Sequence, residues 1–177
     1  MNGIDLLKNR RSIRKYKDQK IPKELLKEIV DIAKYAPSWG NLQIARYTII
    51  DNEEIIKQIA NEGVLDFIYN KKTLENTKGI AVLTFVKGKS GKIKDIHYSN
   101  SWEIFDAGIA CQTFCLSAFE KGIGTCIFGV FNDKLVRELA KIPEEETIGA
   151  IITYGFPDEV ITSTKRKETA EILRFIE

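Results

Sequence analysis

The chain has 177 residues, of which 44% are hydrophobic and 29% charged, and this composition is typical of a globular protein with one domain, residues 1–177. Lys and Arg number 27 against 25 Asp and Glu, so the net charge of +2 provides no overall field for holding nucleic acid or an anionic membrane. Because no apolar run approaches the roughly 20 residues that span a bilayer, and the N-terminus lacks the apolar core of a signal peptide, we expect a cytoplasmic protein.

The first half of the chain begins with a basic stretch, Lys8–Lys17, which contains six basic residues and no acidic one. Apolar residues spaced as on one helical face then predict a helix from Pro22 to Ala36, with the proline in its first turn and Pro37 stopping it. A short strand follows at Ala45–Ile50, and a helix at Glu53–Asn61 begins after Asn52, a suitable cap. Residues 62–78 are compatible with either a loop or a short helix.

The second half alternates buried strands with helices. Continuous apolar runs predict core strands at Gly79–Val86 and at residues 147–156, and "TCIFGVF" predicts a strand interrupted by Gly129. The helix predicted at Ser101–Lys121 carries apolar residues around nearly its whole circumference, so we expect it to be buried on all sides and to form a subunit interface. A further helix is predicted at Asn132–Ile142. The fold class is therefore α+β, with a small, mainly antiparallel central sheet flanked by helices.

The side chains that ordinarily perform enzyme chemistry are scarce. The single histidine, His97, is more simply an exposed polar residue than a general base. Cys111, Cys115 and Cys126 are best interpreted as small buried side chains in a reducing compartment, and we expect no metal site. No nucleophile elbow, phosphate-binding P-loop or zinc helix occurs in the sequence. If the protein is an enzyme, a cofactor has to supply the chemistry.

The basic stretch is compatible with two interpretations. Arg10, Arg11, Ser12 and Arg14 offer guanidinium groups and a hydroxyl within five residues, which suits the geometry of a phosphate. A solvated basic surface explains the same residues. A second cluster, Lys165–Lys167, leaves the same two alternatives open.

At "RRSIRKYKDQKIPKELLKEIVDIAKYAPSWGNLQ" the sequence resembles the nitroreductase family of FMN-dependent oxidoreductases. The order is the same: an Arg-Arg-Ser-x-Arg motif, a helix that starts with proline, then Ala-Pro-Ser followed by Asn-x-Gln. The likeness continues through "DAGIACQTFCLSAFEKGIGTCIFGVF" and "PEEETIGAIITYGFPDE" and ends with a basic cluster, so it spans nearly the whole chain.

The resemblance implies an α+β fold, a homodimer with the long helix at its interface, and FMN bound between the subunits. It also implies ping-pong turnover, in which NADH or NADPH delivers electrons that pass through FMN to a nitroaromatic, a quinone or a similar acceptor. No catalytic side chain is expected, because the cofactor carries the chemistry.

The resemblance further implies a set of cofactor-binding residues. The phosphate and ribityl end of FMN would be held by Arg10, Arg11, Ser12 and Arg14 with Lys165 and Lys167, and Arg166 is an alternative to either lysine. The loop of Pro37, Ser38, Trp39, Asn41 and Gln43 would reach the flavin, usually that of the partner subunit. The backbone of Ile127, Phe128 and Gly129 would lie along the isoalloxazine ring.

Trp39 departs from the family pattern, which has a small residue there. An indole near the ring and a packing role at the dimer interface are both open. The other functions that we consider are a flavin enzyme of this fold that performs reductive dehalogenation or flavin fragmentation, a non-catalytic FMN-binding protein, and a nucleic-acid-binding protein.

Overall fold

The structure, a computed structural model, describes residues 2–64, 68–91 and 102–176. Within these ranges four strands form one antiparallel sheet in the order β1-β2-β4-β3. The strands are β1 (Ala45–Ile50), β2 (Gly79–Val86), β3 (Gly124–Phe128) and β4 (Glu146–Gly155). The two longest and most apolar strands, β2 and β4, occupy the centre, because a strand buried on both faces is apolar throughout.

Helices cover both faces of this sheet. Their bounds are α1 (Gly3–Asn9), α2 (Lys23–Ala33), α3 (Glu53–Gln58), α4 (Ile68–Asn76), α5 (Trp102–Glu120), α6 (Asp133–Leu139) and α7 (Thr169–Ile172). Asparagine side chains cap three of them: Asn2, Asn52 and Asn132 each accept hydrogen bonds from backbone N–H groups of the first helical turn.

Alternate residues of β2 enter two separate hydrophobic cores. Ile80 and Val82 pack into the core that α3, α4 and α6 cover. Ala81 and Leu83 pack on the other face, in the core that α2 and α5 cover. Because side chains along a strand point alternately to opposite faces, the result is a sheet between two helical layers. The α+β prediction with a mainly antiparallel sheet is confirmed.

Several predicted elements agree with the structure. The strands at Ala45–Ile50 and Gly79–Val86 have the predicted bounds, and the strand before Gly129 ends at Phe128. The cysteines are free and buried, as predicted. Within residues 62–78 a helix forms at Ile68–Asn76, which decides between the two alternatives for that part.

One prediction needs correction. The helix predicted to end at Ala36 ends at Ala33, because the N–H groups of Tyr35 and Ala36 bond only three residues back, Ala36 to the carbonyl of Ala33 at 3.1 Å. In a single chain the long helix α5 leaves Ile104 and Phe105 65% and 59% exposed, and its burial in a subunit interface stays a prediction. His97 lies outside the described residues. Among those that are described, no helix combines the length and apolar character needed to cross a membrane.

Candidate active site

The basic N-terminal segment lies along the outer edge of β3. Ser12 forms a parallel bridge with Thr125, and the N–H of Ile13 donates to the Thr125 carbonyl at 2.9 Å. Farther along, the N–H of Lys17 donates to the carbonyl of Phe156 at 2.9 Å. Ile13 and Tyr16 are buried against the sheet, 8% and 6% exposed. The apolar residues of the segment thus fix the position of the polar residues between them.

Glu159 anchors the middle of this segment. Its Oε1 accepts hydrogen bonds from the N–H of Arg14 at 2.5 Å and of Lys15 at 3.1 Å. The Tyr16 hydroxyl donates to the carbonyl of Ile13 at 2.6 Å and shares a hydrogen bond of 2.8 Å with Thr153. Burial raises the pKa of Tyr16 far above its ordinary value, so its phenol stays protonated. The segment is therefore held by its backbone and by the buried side chains of Ile13 and Tyr16, which leaves the side chains of Arg10 and Arg14 available for other contacts.

The three arginines have different surroundings. Arg10 is half-buried and near α5, where its charge acts to lower the pKa values of the Cys111 and Cys115 thiols. Arg11 folds back on α1, and its guanidinium donates to the carbonyls of Lys8 at 2.5 Å and Arg10 at 2.9 Å. Arg14 is exposed, with one long contact of 3.5 Å to the Ser12 carbonyl. In the described part of the chain, none of the three forms a salt bridge.

The two cysteines beside Arg10 form a buried pair on α5. Their mutual hydrogen bond and the burial raise the pKa of Cys111, and the same hydrogen bond lowers the pKa of Cys115. No group of three His, Cys, Asp or Glu side chains suited to a metal ion occurs among the described residues. The Cys111 thiol therefore stays protonated, close to the positive charge of Arg10.

The end of β3 presents backbone and open space next to the basic segment. Ile127 is 45% exposed, while Phe128 points into the core and is 3% exposed. Nothing lies within 4 Å of the position that a Cβ on Gly129 would occupy. Because Ser12 and Ile13 contact Thr125, the basic segment and the residues of Ile127–Gly129 belong to the same edge of the sheet.

The loop of residues 37–43 has an unusual backbone. Gly40, Asn41 and Gln43 have φ angles of 56°, 55° and 50°, in the left-handed region that residues other than glycine rarely adopt. The Ser38 hydroxyl oxygen accepts a hydrogen bond from the N–H of Gln43 at 2.9 Å, which closes the loop on itself. Pro37, Asn41 and Gln43 are exposed, so this strained loop presents polar groups outward.

A buried carboxylate that we did not predict ties this loop to α5. Asp106 is 3% exposed; its Oδ1 accepts from the N–H of Trp39 at 2.9 Å and its Oδ2 from the Ser90 hydroxyl at 2.6 Å. The sequence did contain a signal, since Asp106 is an acidic residue within the otherwise apolar helix pattern. The Trp39 side chain is half-buried.

The predicted site residues fall into separate groups within one chain. The 37–43 loop precedes β1, and the basic segment lies beside β3, at the opposite edge of the four-stranded sheet. Three interstrand spacings separate the outer strands by about 14 Å. Lys165, Arg166 and Lys167 are exposed, and the described contact of Arg166 is a local one with Thr164. Within one chain, residues 10–14 therefore lie at the same edge of the sheet as residues 127–129, and the 37–43 loop lies at the other edge.

Comparison with known proteins identifies the family. A protein of Methanothermobacter thermautotrophicus, provisionally named as an NADH dehydrogenase/NAD(P)H nitroreductase, is 28% identical over 163 residues, covering 90% of this chain and 79% of the relative. The iodotyrosine deiodinase of Thermotoga neapolitana is 25% identical over 177 residues and 93% of each chain. The solved structure of an FMN-dependent nitroreductase from Clostridium difficile R20291 superposes with a TM-score of 0.77 at 28% identity, covering 98% of this chain and 99% of the other. The model of the nitroreductase family matches residues 7–156, and the chain belongs to that family.

Proposed function

We propose that the protein is an FMN-dependent oxidoreductase that transfers electrons from NADH or NADPH to electron-poor acceptors such as nitroaromatics or quinones in a ping-pong cycle. The observation that carries this proposal is the pair of arginines around Ser12. Arg10 caps the end of α1 and Arg14 is held through its N–H by Glu159, on either side of the residue that bridges to β3, and neither forms a salt bridge among the described residues. A phosphate monoester carries about −1.5 to −2 charges at neutral pH, which two guanidinium groups nearly neutralise.

The donor set fits FMN. Arg10, Ser12 and Arg14 would bind the phosphate, with Lys165 and Lys167 as further cations. Arg11 fits less well, because its guanidinium already donates to two backbone carbonyls, that of Lys8 in α1 and that of Arg10. The backbone at Ile127–Gly129 would border the ring system, and no atom lies within 4 Å of a Cβ position at Gly129 that would block a close approach. When bound, FMN supplies the exchange of a hydride and electrons that no side chain of this site provides.

We propose that the site is completed by a second copy of the chain. The 37–43 loop precedes β1 and the basic segment lies beside β3, so the two lie at opposite edges of one sheet, whose outer strands are about 14 Å apart. A homodimer would bring Ser38, Asn41 and Gln43 of one subunit to the flavin of the other. The exposed face of α5, with Ile104 and Phe105, offers an apolar surface for such an interface. Residues 1–177 would act as a single domain, and the free, buried cysteines support a cytoplasmic location.

The absorption spectrum of the purified protein tests the proposal. We expect a yellow protein that releases FMN on denaturation and bleaches anaerobically when NADH or NADPH is added. Free FMN mixed with each nicotinamide at the same concentrations is the control for the uncatalysed reaction. Colourless protein that does not take up added FMN would contradict the proposal.

Reductive dehalogenation is a second candidate, favoured by the similarity to a named iodotyrosine deiodinase. Replacement of a carbon–iodine bond by carbon–hydrogen consumes two electrons and one proton and releases iodide, so FMN could serve this reaction too. Anaerobic stopped-flow separates the two: reduced protein is mixed with a nitroaromatic, a quinone or an ortho-iodophenol. Fast reoxidation with iodide release by the iodophenol alone would favour the second candidate over the first.

A further inference from the structure

Asp106 is a buried carboxylate whose contacts are all hydrogen bonds. It is 3% exposed, and in the described part of the chain no Lys or Arg forms a salt bridge with it. Acidic residues are rarely so buried without a charge partner, because the carboxylate loses its hydration. Each oxygen accepts one strong hydrogen bond in compensation, from Trp39 N–H and from Ser90 O–H. An apolar residue at this helix position would be buried without the desolvation cost of a carboxylate, so we infer that the carboxylate does more than fill space.

The part of α5 that carries Asp106 is firmly attached to the sheet. One helical turn beyond it, the carbonyl of Ala110 accepts the Tyr47 hydroxyl at 3.0 Å, which joins α5 to β1. The Tyr47 ring stacks on Phe114 with a centroid separation of 5.1 Å. Burial raises the pKa of Tyr47, so the hydroxyl remains a donor. The Asp106 oxygens are therefore held at a fixed place relative to the sheet.

The loop that Asp106 contacts has little support beneath it. A cavity of about 260 Å³ lies between the loop and helices α2 and α5, lined among others by Ala33, Ser38, Gln43 and Asp106. The Ser38–Gln43 bond and the bond from Asn41 N–H to the Ser38 carbonyl both close the loop internally. The bond from Trp39 to Asp106 instead links the loop to the helix. It determines where the left-handed residues are presented.

We propose that Asp106 is a positioning residue that acts through Trp39 to fix the position and orientation of the 37–43 loop, and so supports FMN binding by that loop. This inference rests on the proposed function, in which Ser38, Asn41 and Gln43 contact FMN. Through its second oxygen, Asp106 also locks the loop to the turn that carries Ser90, so two segments are fixed by one carboxylate.

Substitution by asparagine or by alanine separates position from charge. In Asp106→Asn the amide oxygen still accepts from Trp39 N–H, and the amide nitrogen donates to the Ser90 oxygen, so both contacts persist without the charge. Asp106→Ala removes both contacts. The matched control is Glu103→Ala on the same helix, because Glu103 accepts a backbone hydrogen bond from Lys89 N–H at 3.0 Å, in the turn and away from the loop.

The experiment measures FMN dissociation constants on FMN-free full-length protein by flavin fluorescence, together with the melting temperature of each FMN-free variant. Loss of contacts to a charged group predicts FMN binding about 10- to 100-fold weaker in Asp106→Ala. Asp106→Asn should stay within about threefold of wild type, because both hydrogen bonds of Asp106 persist in this variant. Glu103→Ala should leave FMN affinity unchanged even if its melting temperature falls.

Three outcomes would overturn the inference. FMN affinity unchanged in Asp106→Ala excludes a positioning role. Equal losses in Asp106→Asn and Asp106→Ala indicate that the charge acts directly. Equal losses in Glu103→Ala and Asp106→Ala indicate general destabilisation of α5. If Asp106→Ala does not fold, Ser90→Ala decides: FMN binding weakened by about fivefold supports the inference, and unchanged binding overturns it. Wild-type protein that fails to bind FMN would overturn the proposed function itself.

Discussion

At the β3 edge of the sheet, the N-terminal segment lies along the outer strand; at the β1 edge, no bridge from another segment to the outer strand occurs among the described residues. Residues 12–17 lie along β3 and the turn after β4, joined by backbone hydrogen bonds and by the buried side chains of Ile13 and Tyr16. The loop that precedes β1 is exposed at Asn41 and Gln43, rests above a cavity, and is linked to α5 through Asp106.

This difference separates the two halves of the proposed site. The phosphate-binding half is part of the fold of a single chain, because the residues that hold it also bury apolar surface. The loop half consists of strained backbone held by a few polar contacts, and its energy depends on how well those contacts are kept. Changes to the buried residues that anchor the β3 edge should therefore mainly affect stability, whereas changes to the arginines at that edge and to the loop should mainly affect FMN binding.

The largest effect is expected from removing the main anchor of the β3 edge. Tyr16→Ala deletes a buried aromatic ring and its bonds to Ile13 and Thr153, so the free energy of unfolding should fall by about 3–5 kcal/mol. Urea denaturation measures this. Tyr35→Ala is the matched control, because Tyr35 is 81% exposed and its loss should change stability by less than about 0.5 kcal/mol. Equal losses in both variants would contradict the assigned role of Tyr16.

A smaller effect, on binding, is expected from the arginine held at this edge. Arg14→Ala removes a charge-assisted contact to phosphate worth roughly 1.5–3 kcal/mol, so FMN should bind about 10- to 100-fold more weakly. Fluorescence titration of FMN-free protein measures the dissociation constant. Lys17→Ala provides a control from the same segment, since Lys17 is exposed and is not proposed to touch the cofactor. Unchanged FMN affinity in Arg14→Ala would count against the phosphate assignment.

Adding a methyl group where the N-terminal segment packs on β3 should also destabilise the protein. A Cβ at Gly124 would lie 2.7 Å from Cγ1 and 2.8 Å from Cβ of Ile13, too close for either to remain in place. Gly124→Ala should therefore cost about 1–3 kcal/mol of stability through overpacking. Gly129→Ala, five residues on, meets open space and should leave the melting temperature nearly unchanged. A similar melting temperature in the two variants would contradict the prediction, because it would show that Ile13 and the N-terminal segment shift to admit the methyl group at little cost in stability.

The smallest effect concerns the strained loop. Gln43→Gly relieves a left-handed residue, so stability should rise by roughly 0.5–1 kcal/mol while FMN affinity falls. Lys141→Gly is the matched control, because Lys141 also has a positive φ, of 52°, and lies after α6. It should gain similar stability with no change in FMN affinity. Loss of FMN affinity in both variants, or in neither, would contradict the claim that the conformation of the 37–43 loop specifically supports FMN binding.

Local patterns in the sequence predicted several of the strands and helices well. The bounds of β1 and β2 follow from apolar runs between turn residues, and α5 from its length and apolar content. These signals are local, since each depends on a few neighbouring residues. The strand order β1-β2-β4-β3 was not predicted, because pairing depends on contacts distant in sequence.

The candidate site was predicted as a list of residues and less well as an arrangement. The motif resemblance supplied Arg10, Ser12, Arg14 and the loop residues. It gave no indication that Arg11 folds back onto α1. Asp106 was missed because the group that it binds, Trp39 N–H, lies 67 residues away, and no helical pattern indicates such a partner.

The bridge between Ser12 and Thr125 has a consequence for the order of assembly. Residues 12–17 leave the ribosome early, but their partners are at Thr125, Thr153 and Phe156, near the other end of the chain. The strand β3 itself pairs with β4, which is synthesised later still. Residues 12–17 must therefore stay undocked until Thr125, Thr153 and Phe156 have been synthesised. The arginines that we propose to bind phosphate would reach their final places last, so truncated or stalled chains should be unable to capture the cofactor.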